Sequence, residues 1–376
     1  MRLSHLHIPR PIPYTYSLKL QEALLEKHFA YKTALRSHQH DDTPLTTPPP
    51  PPTLLTFQTH PTYTVGRRHL NNNPLSQAQI SFLTGASPPP SLPHDTTAKE
   101  EGNSHELATF YPSPRGGLLT YHAPGQLTAY LIIDLRRHNL TPRCYIRMLE
   151  NSVMRTCARH GVPNTLTTDD PGVWIGEPET ESESESLLSA SLAAREKSRE
   201  AKETDEVCNL GGEAAAGMKG TKSLLRATDR KICAIGVHVS RGITSHGVGL
   251  NVFDAPIDIL APPSLRQLYT LPGNNKYLPA TASVSGALES ANEDAKLRDS
   301  VVPAQGYLSW GFSRIVACGL EGKSVTWLSR EQGGEEREDG LTLEAVAGSL
   351  AKEVASSLGI KGEDAVVRVG EEVVLD

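Results

Sequence analysis

The sequence predicts an α+β fold, an α/β-type mixed sheet flanked by helices, and three observations carry that prediction. Short apolar or alternating runs recur at 54–69, 109–135, 172–176 and 231–253, each bounded by turn residues, which is strand patterning. Between and after them lie stripes of period 3.6 at 17–36, 142–160 and 343–358, which is helix patterning. The remaining stretches are polar and rich in proline, serine or glutamate. With these set aside, roughly 230–260 residues of alternating strands and helices are left, which is one interrupted domain over 1–376 rather than two.

In chain order, Ser17 is the expected cap of the first helix, with Leu20, Leu24, Tyr31 and Leu35 on one face. A low-complexity segment at about 38–53 follows. Its proline run 48–52 can form neither helix nor central strand and reads as an extended spacer. "LLTFQTHPTYTVGRRH" reads as strand followed by a turn region, and 71–105 as loop. Residues 109–135 read as strand, turn, strand. The clearest helix is 142–160. Thr141 is positioned as its cap, Pro142 suits its first turn, Ile146, Leu149, Val153 and Cys157 face one way, and Gly161 follows its end. "GVWIG" is a short buried strand. Residues 177–228, with "ETESESES", bury too little to offset their ordering entropy and read as a solvated, disordered insertion. Dense strand patterning resumes at 231–253, and a second irregular segment spans about 254–305. Leu343, Val346, Leu350, Val354 and Leu358 make the stripe of the last helix, which Gly359 ends.

Composition narrows the function classes. The chain has 376 residues, a net charge of −6 and a pI near 6.2, so no overall basic field calls for nucleic acid. No apolar run approaches the ~20 residues of a membrane span. Five cysteines without a CxxC pair argue against a disulfide framework or zinc knuckle and for a reducing compartment. No HExxH is present, and "GLEGKS" lacks the first glycine of a phosphate loop. The first 21 residues hold Arg2, Arg10 and Lys19 but no acid, a weak mitochondrial pattern that an ordinary N-terminus also explains.

Three places could carry chemistry. In "RGGLLTYHAPGQ", Gly116 and Gly117 allow a backbone to approach a ligand closely, or they make a plain glycine turn beside a surface Arg115. Cys318, in "IVACGLEG", is either a nucleophile toward thioesters or a small buried hydrophobe. Lys231, opening a strand, is either a solvated strand end or a base. Only burial or a nearby cation could free it of its proton near neutral pH. His122 and His246 have no short-range ligand partner, so a metal is not expected.

Together these pieces resemble the lipoyl(octanoyl) transferase family of lipoate biosynthesis, in its fungal mitochondrial type. The signature RGGxxTYHGPGQ appears as "RGGLLTYHAPGQ" (115–126). "DDPGVWIG" (169–176), "RKICAIGVHVSRGITSHGVGLNV" (230–252) and "IVACGLEGKSVTWL" (315–328) match the next elements. "IPYTYSLKLQEALLE" and "QTHPTYTVGRR" extend the likeness. The resemblance implies the catalytic-domain fold of biotin and lipoate protein ligases. It implies transfer of an octanoyl group from octanoyl-acyl carrier protein to a lysine of lipoyl domains, through an acyl-cysteine. The acceptors would be 2-oxoacid dehydrogenase subunits and the glycine cleavage H protein, and the location mitochondrial. It puts the nucleophile on Cys318 and the general acid/base on Lys231. Acyl binding falls on Arg115, Gly116, Gly117, Leu118, Leu119, Thr120, Tyr121 and His122, on Ala234, Ile235 and Gly236, and on Gly247, Val248 and Gly249. No cofactor is implied, because a thioester donor is already activated.

Two departures stand out. Ala123 replaces a usual glycine, which would narrow the pocket, and Ala317 replaces the usual proline before the cysteine. Competing expectations are an ATP-dependent lipoate or biotin protein ligase, which shares the fold, and a non-catalytic binding module. Retention of both Cys318 and Lys231 speaks against the latter.

Overall fold

The computed structural model describes residues 1–38, 47–72, 74–85, 107–176, 229–261, 263–266, 269–271, 302–315, 324–332 and 341–375. The insertion 177–228 lies outside them, as do 39–46, 86–105 and 272–301 of the other low-complexity segments, and 316–323, which holds Cys318 and Ala317.

Alternating and apolar runs become strands β1 (Leu3–Ile12), β2 (Thr53–Thr59), β3 (Thr62–Val65), β4 (Thr109–Pro112), β5 (Leu119–His122), β6 (Gln126–Ile132), β7 (Thr165–Thr167), β8 (Gly172–Ile175), β9 (Arg230–Ser240) and β10 (Ile243–Asn251). The two-residue strands β11 (Thr270–Leu271), β12 (Val302–Pro303) and β13 (Ser324–Val325) and the strand β14 (Val366–Val369) complete the set. A nine-stranded mixed sheet runs β14-β1-β2-β6-β10-β9-β8-β7, with β13 also on β9. Its β14-β1-β2 end is parallel, and β2 through β7 pair antiparallel. A three-stranded sheet, β4-β3-β5, stands beside it.

Helices cover both faces of the large sheet. On one face α1 (Tyr14–Ser37) lays Leu20 and Leu24 on Leu6, Leu55, Phe57 and Ile132. On the other, α4 (Pro142–Arg159) and the helix Leu343–Ser357 bury Leu149, Val153, Cys157, Val346, Leu350 and Val354 against Leu127, Leu131, Cys233 and Ile235. The third core is aromatic. Tyr63 and Tyr121 of the small sheet pack with Tyr307 and Trp310 of the helix Tyr307–Phe312.

Local capping chemistry places the helix starts. Thr141 Oγ1 accepts the Cys144 N–H at 3.2 Å, and Thr342 Oγ1 accepts that of Ala345 at 3.2 Å. The first helix departs from expectation. It begins at Tyr14 behind Pro13, and Ser17 is interior, its hydroxyl donating to the Tyr14 carbonyl at 2.7 Å. Leu35, placed on the buried stripe by its spacing, is 45% exposed because α1 outruns the sheet beneath it. The stretch read as turn after β3 is a helix, α2 (Arg67–Asn72). The stretch 71–105 read as loop contains another, α3 (Gln77–Thr84). Ser76 and Gln79 form a reciprocal capping box at its start.

Candidate active site

Lys231 owes its direction to one irregularity. Trp174 pairs with Lys231 and Val173 with Cys233, so Ile232 is an extra residue on β9. Strict alternation would send Lys231 to the same face as Cys233 and Ile235, under α4. The bulge puts Ile232 and Cys233 together in that core and turns Lys231 to the face of Ala234 and Gly236. There Lys231 is 3% exposed, and its Nζ lies 5.0 Å from the Trp174 ring centre. Gly172 sits beneath it at φ 150°; a Cβ at that position would fall 2.8 Å from Lys231 Cε. The Gly172 N–H donates to Glu150 Oε1 at 3.1 Å, and Arg147 holds the other carboxylate oxygen at 2.8 Å. Burial raises the Glu150 carboxyl above its ordinary range, against the pull of that backbone bond, Arg147 and Lys231.

Lys231 borders a cavity of about 370 Å³. Arg115, Gly116, Gly117, Leu118, Thr120 and His122 line it from the loop before β5 and from β5 itself. Ala234, Ile235, Gly236, Gly247, Val248 and Gly249 line it from β9 and β10. Leu119 and Tyr121 do not. On a strand of period two they point to the opposite face, into the aromatic core, where Tyr121 lies 4.7 Å from Tyr63 between ring centres. Ala123 is likewise buried in that core, so its methyl does not narrow the cavity. A second, small void joins Lys231 and Thr120 to Asn251, Phe312 and Val325.

The glycine pair serves as an edge contact. The Gly116 N–H donates to the Val237 carbonyl at 3.0 Å, docking the loop on β9, so that amide is not a free oxyanion donor. Arg115 is buried. Its Nη2 donates to the carbonyl and hydroxyl of Thr64, each at 2.8 Å, and its Nη1 to the Gly116 carbonyl at 2.9 Å. The guanidinium therefore braces the wall from inside. It also keeps its neighbours neutral: burial, then Arg115, lowers His122 to about 4, and burial, Arg115, His238 and His122 lower His246 to about 3. His246 has φ 60°, a left-handed conformation rare outside glycine, and its Nε2 lies 3.2 Å from Ser113 Oγ. Among the described residues no group of three or more His, Cys, Asp or Glu is gathered to hold a metal.

Cys318 lies outside the described residues, so its distance to Lys231 is not defined. Its chain neighbours are placed. Ile315 ends one described segment in the aromatic core, and Ser324 opens the next, pairing with Arg230 while Val325 pairs with Lys231. The thiols of Cys157 and Cys233 are buried and pushed up, Cys157 to about 12, so neither is a ready nucleophile. Sequence reasoning passed over Arg68, Tyr130, Ile146, Asp170, Pro171 and Val237, which also line the cavity, and weighed His246 only as a metal ligand. Of these, Arg68 lies in the quoted "QTHPTYTVGRR", Asp170 and Pro171 in "DDPGVWIG", and Val237 and His246 in the quoted 230–252, the one signal available for them.

A nine-stranded mixed sheet with helices on both faces and a buried lysine beside a glycine-lined cavity defines a class, and residues 13–255 match the model of the lipoyl protein ligase A/B catalytic domain. The chain belongs to that family. Its relatives carry octanoyltransferase names. A "Probable octanoyltransferase" of Schizosaccharomyces pombe is 30% identical over 53% of this chain and 56% of its own length. The mitochondrial octanoyl-acyl-carrier-protein:protein N-octanoyltransferase of Danio rerio is 24% identical over 86% of this chain and 80% of its own. The mitochondrial octanoyltransferase of Kluyveromyces lactis is 28% identical over 53% and 44%. The chain spans little more than half the length of some curated relatives, 57% for one from Drosophila melanogaster. A solved lipoate-protein ligase A bound with ATP aligns at 12% identity and TM-score 0.41, over 100% of this chain and 93% of that one; at that score the likeness supports no comparison of sites.

Proposed function

We propose that this chain is a mitochondrial octanoyltransferase that moves an octanoyl group from octanoyl-acyl carrier protein to a lysine of lipoyl domains, those of 2-oxoacid dehydrogenase subunits and the glycine cleavage H protein. The names of its relatives support the reaction and the location. The observation that carries the proposal is Lys231, a buried amine turned by a strand bulge to the edge of a mostly apolar cavity. In the proposed sequence Lys231 takes the proton of the Cys318 thiol, and the thiolate attacks the thioester carbonyl. The donor thiolate leaves and takes up a proton, and octanoyl-cysteine remains. The acceptor amine then attacks that thioester and passes a proton through Lys231 to the Cys318 sulfur, which leaves as the thiol while the amide forms. Arg115, Gly116, Gly117, Leu118, Thr120 and His122 would bind the acyl thioester against Ala234, Ile235, Gly236, Gly247, Val248 and Gly249. Cys318 is six positions before Ser324, whose strand partner is Arg230, and this connectivity supports the pairing with Lys231.

The test is acyl trapping without nucleotide. Incubation with octanoyl-acyl carrier protein should add one octanoyl mass to the intact chain, mapped to Cys318 and absent in Cys318→Ala. A chain that stays unmodified, yet octanoylates a lipoyl domain only from octanoate and ATP, is a ligase instead.

A further inference from the structure

Gln126 and Asn251 face each other across β6 and β10 as register partners, 1% and 3% exposed, and the mechanism above uses neither. Four hydrogen bonds run through them. His122 Nδ1 lies 2.6 Å from Gln126 Oε1. Gln126 Nε2 donates to the Tyr121 carbonyl at 3.2 Å and to Asn251 Oδ1 at 2.9 Å, and Asn251 Nδ2 donates to the Thr326 carbonyl at 2.9 Å. Thr326 N–H in turn donates to the Lys231 carbonyl at 2.9 Å. The two ends of this chain are backbone carbonyls, which can only accept. They fix both amides: turning Gln126 over would set its oxygen against the Tyr121 carbonyl, and turning Asn251 over would set its oxygen against that of Thr326. Gln126 Oε1 must therefore face His122, and the ring nitrogen opposite an oxygen without a hydrogen must carry one. The neutral ring then has its hydrogen on Nδ1 and a bare lone pair on Nε2. Nε2 has no partner among the described residues, and His122 lines the cavity.

We propose that Gln126 and Asn251 are positioning residues, which lock His122 with its hydrogen on Nδ1 so that Nε2 accepts a hydrogen bond from a substrate N–H, and which tie that wall to the Lys231 strand. The inference rests on the octanoyl-transfer reading for its substrate. Two N–H groups qualify, the amide of the donor's thioester arm and the amine of the acceptor lysine. Arg115 from the preceding loop, Tyr14 of α1 stacked 6.3 Å away, Tyr130 of β6 and His246 of β10 surround the ring. Burial and the charge of Arg115 lower the ring to about 4, so it stays neutral through the working range. Gly249 leaves the room for the arrangement; a Cβ there would stand 2.8 Å from Gln126 Oε1.

The experiment has two parts on the full chain. In 15N spectra of the histidine-labelled protein, His122 should be neutral with a protonated Nδ1 from pH 5 to 8. A protonated Nε2 at pH 7 overturns the proposal. In kinetics, Gln126→Leu should slow one half-reaction about tenfold, the value of one lost hydrogen bond to substrate. Gln126→Glu keeps the acceptor toward His122, loses both Nε2 donations, and adds a charge that raises His122 from about 4, so activity should gain an acid limb that wild type lacks. If the source is the donor amide, acyl-enzyme formation slows, and a thioester with CH2 in place of that N–H no longer distinguishes variant from wild type. If it is the acceptor amine, acyl-enzyme forms at the normal rate and only its transfer slows. Folded variants with both half-reactions and the pH profile unchanged overturn the proposal. A wild-type chain that takes up no acyl group from any thioester instead overturns the octanoyl-transfer reading, and the spectra still decide the tautomer.

Discussion

The loop before β5 and β5 itself bring Arg115, Thr120 and His122 to the cavity, polar side chains on a wall braced from within. β9 and β10 bring Ala234, Gly236, Gly247 and Gly249, with Lys231 at their edge. The first wall works through groups and the second through gaps. In a close-packed protein a gap is as specific as a group, because the neighbouring atoms already fill the space a side chain would need. The two walls should therefore fail differently. A change on the gap wall reads first as lost stability, and a change on the group wall reads first in kinetics.

Lys231 is the exception that should show the largest effect. Lys231→Arg keeps a positive charge but cannot release its proton near neutral pH, so kcat/KM for acyl transfer should fall by about 10²–10⁴. Activity close to wild type would reduce the lysine to a fixed charge. Acid should act next, on histidines of both walls, of β1 and of α1 alike. His5, His28 and His122 are lowered to about 4 and His246 to about 3, each chiefly by burial. Unfolded, each has its ordinary 6.5 and binds a proton that the folded chain refuses. Stability is therefore full above pH 6.5 and is lost as pH falls toward 4, by about 1.4 kcal/mol per pH unit for each proton taken up. Denaturant titrations at pH 7, 6 and 5 measure it; a flat profile would mean these rings are not held neutral.

Two substitutions test the comparison itself. Gly249→Ala puts a methyl against a Gln126 that three hydrogen bonds hold in place, and should cost about 1–3 kcal/mol in denaturant midpoint and slope. Thr120→Val, on the group wall, removes a hydroxyl with little change of shape. It should shift stability by about 1 kcal/mol or less while lowering kcat/KM. The reverse pattern would dissolve the distinction. The smallest effect should come from replacing 178–227 with a short Gly/Ser bridge. The flanking Gly176 and Asp229 are neighbours at the β8–β9 end, and each halving of loop length changes closure free energy by only about 0.6 kcal/mol. A collapse in Tm would show that the arm packs on the domain.

How much could be read in advance followed the range of the interaction. Thr141 and Pro142 marked the start of α4 because a cap acts over three residues, and the lines of Leu149 and Val346 marked buried faces because helix periodicity is local. The Ser76–Gln79 box was equally local, but the proline- and asparagine-rich composition around it masked the helix it starts. The cavity segments were legible through a family resemblance and not through their physics. Period two then removed Leu119 and Tyr121 from the wall. The Gln126–Asn251 pair was out of reach, because 125 positions separate residues that only strand register brings together.

The bulge at Ile232 makes chain length itself a determinant of the site. Inserting one residue into β8 between Val173 and Trp174 would give Ile232 a strand partner and restore perfect alternation to β9, turning Lys231 toward the oily layer beneath α4 and away from the cavity. A scan of substitutions, however complete, would not find this dependence, since each variant keeps the count. In a comparison of related chains, a single residue inserted opposite this position would matter more than many differences in letter.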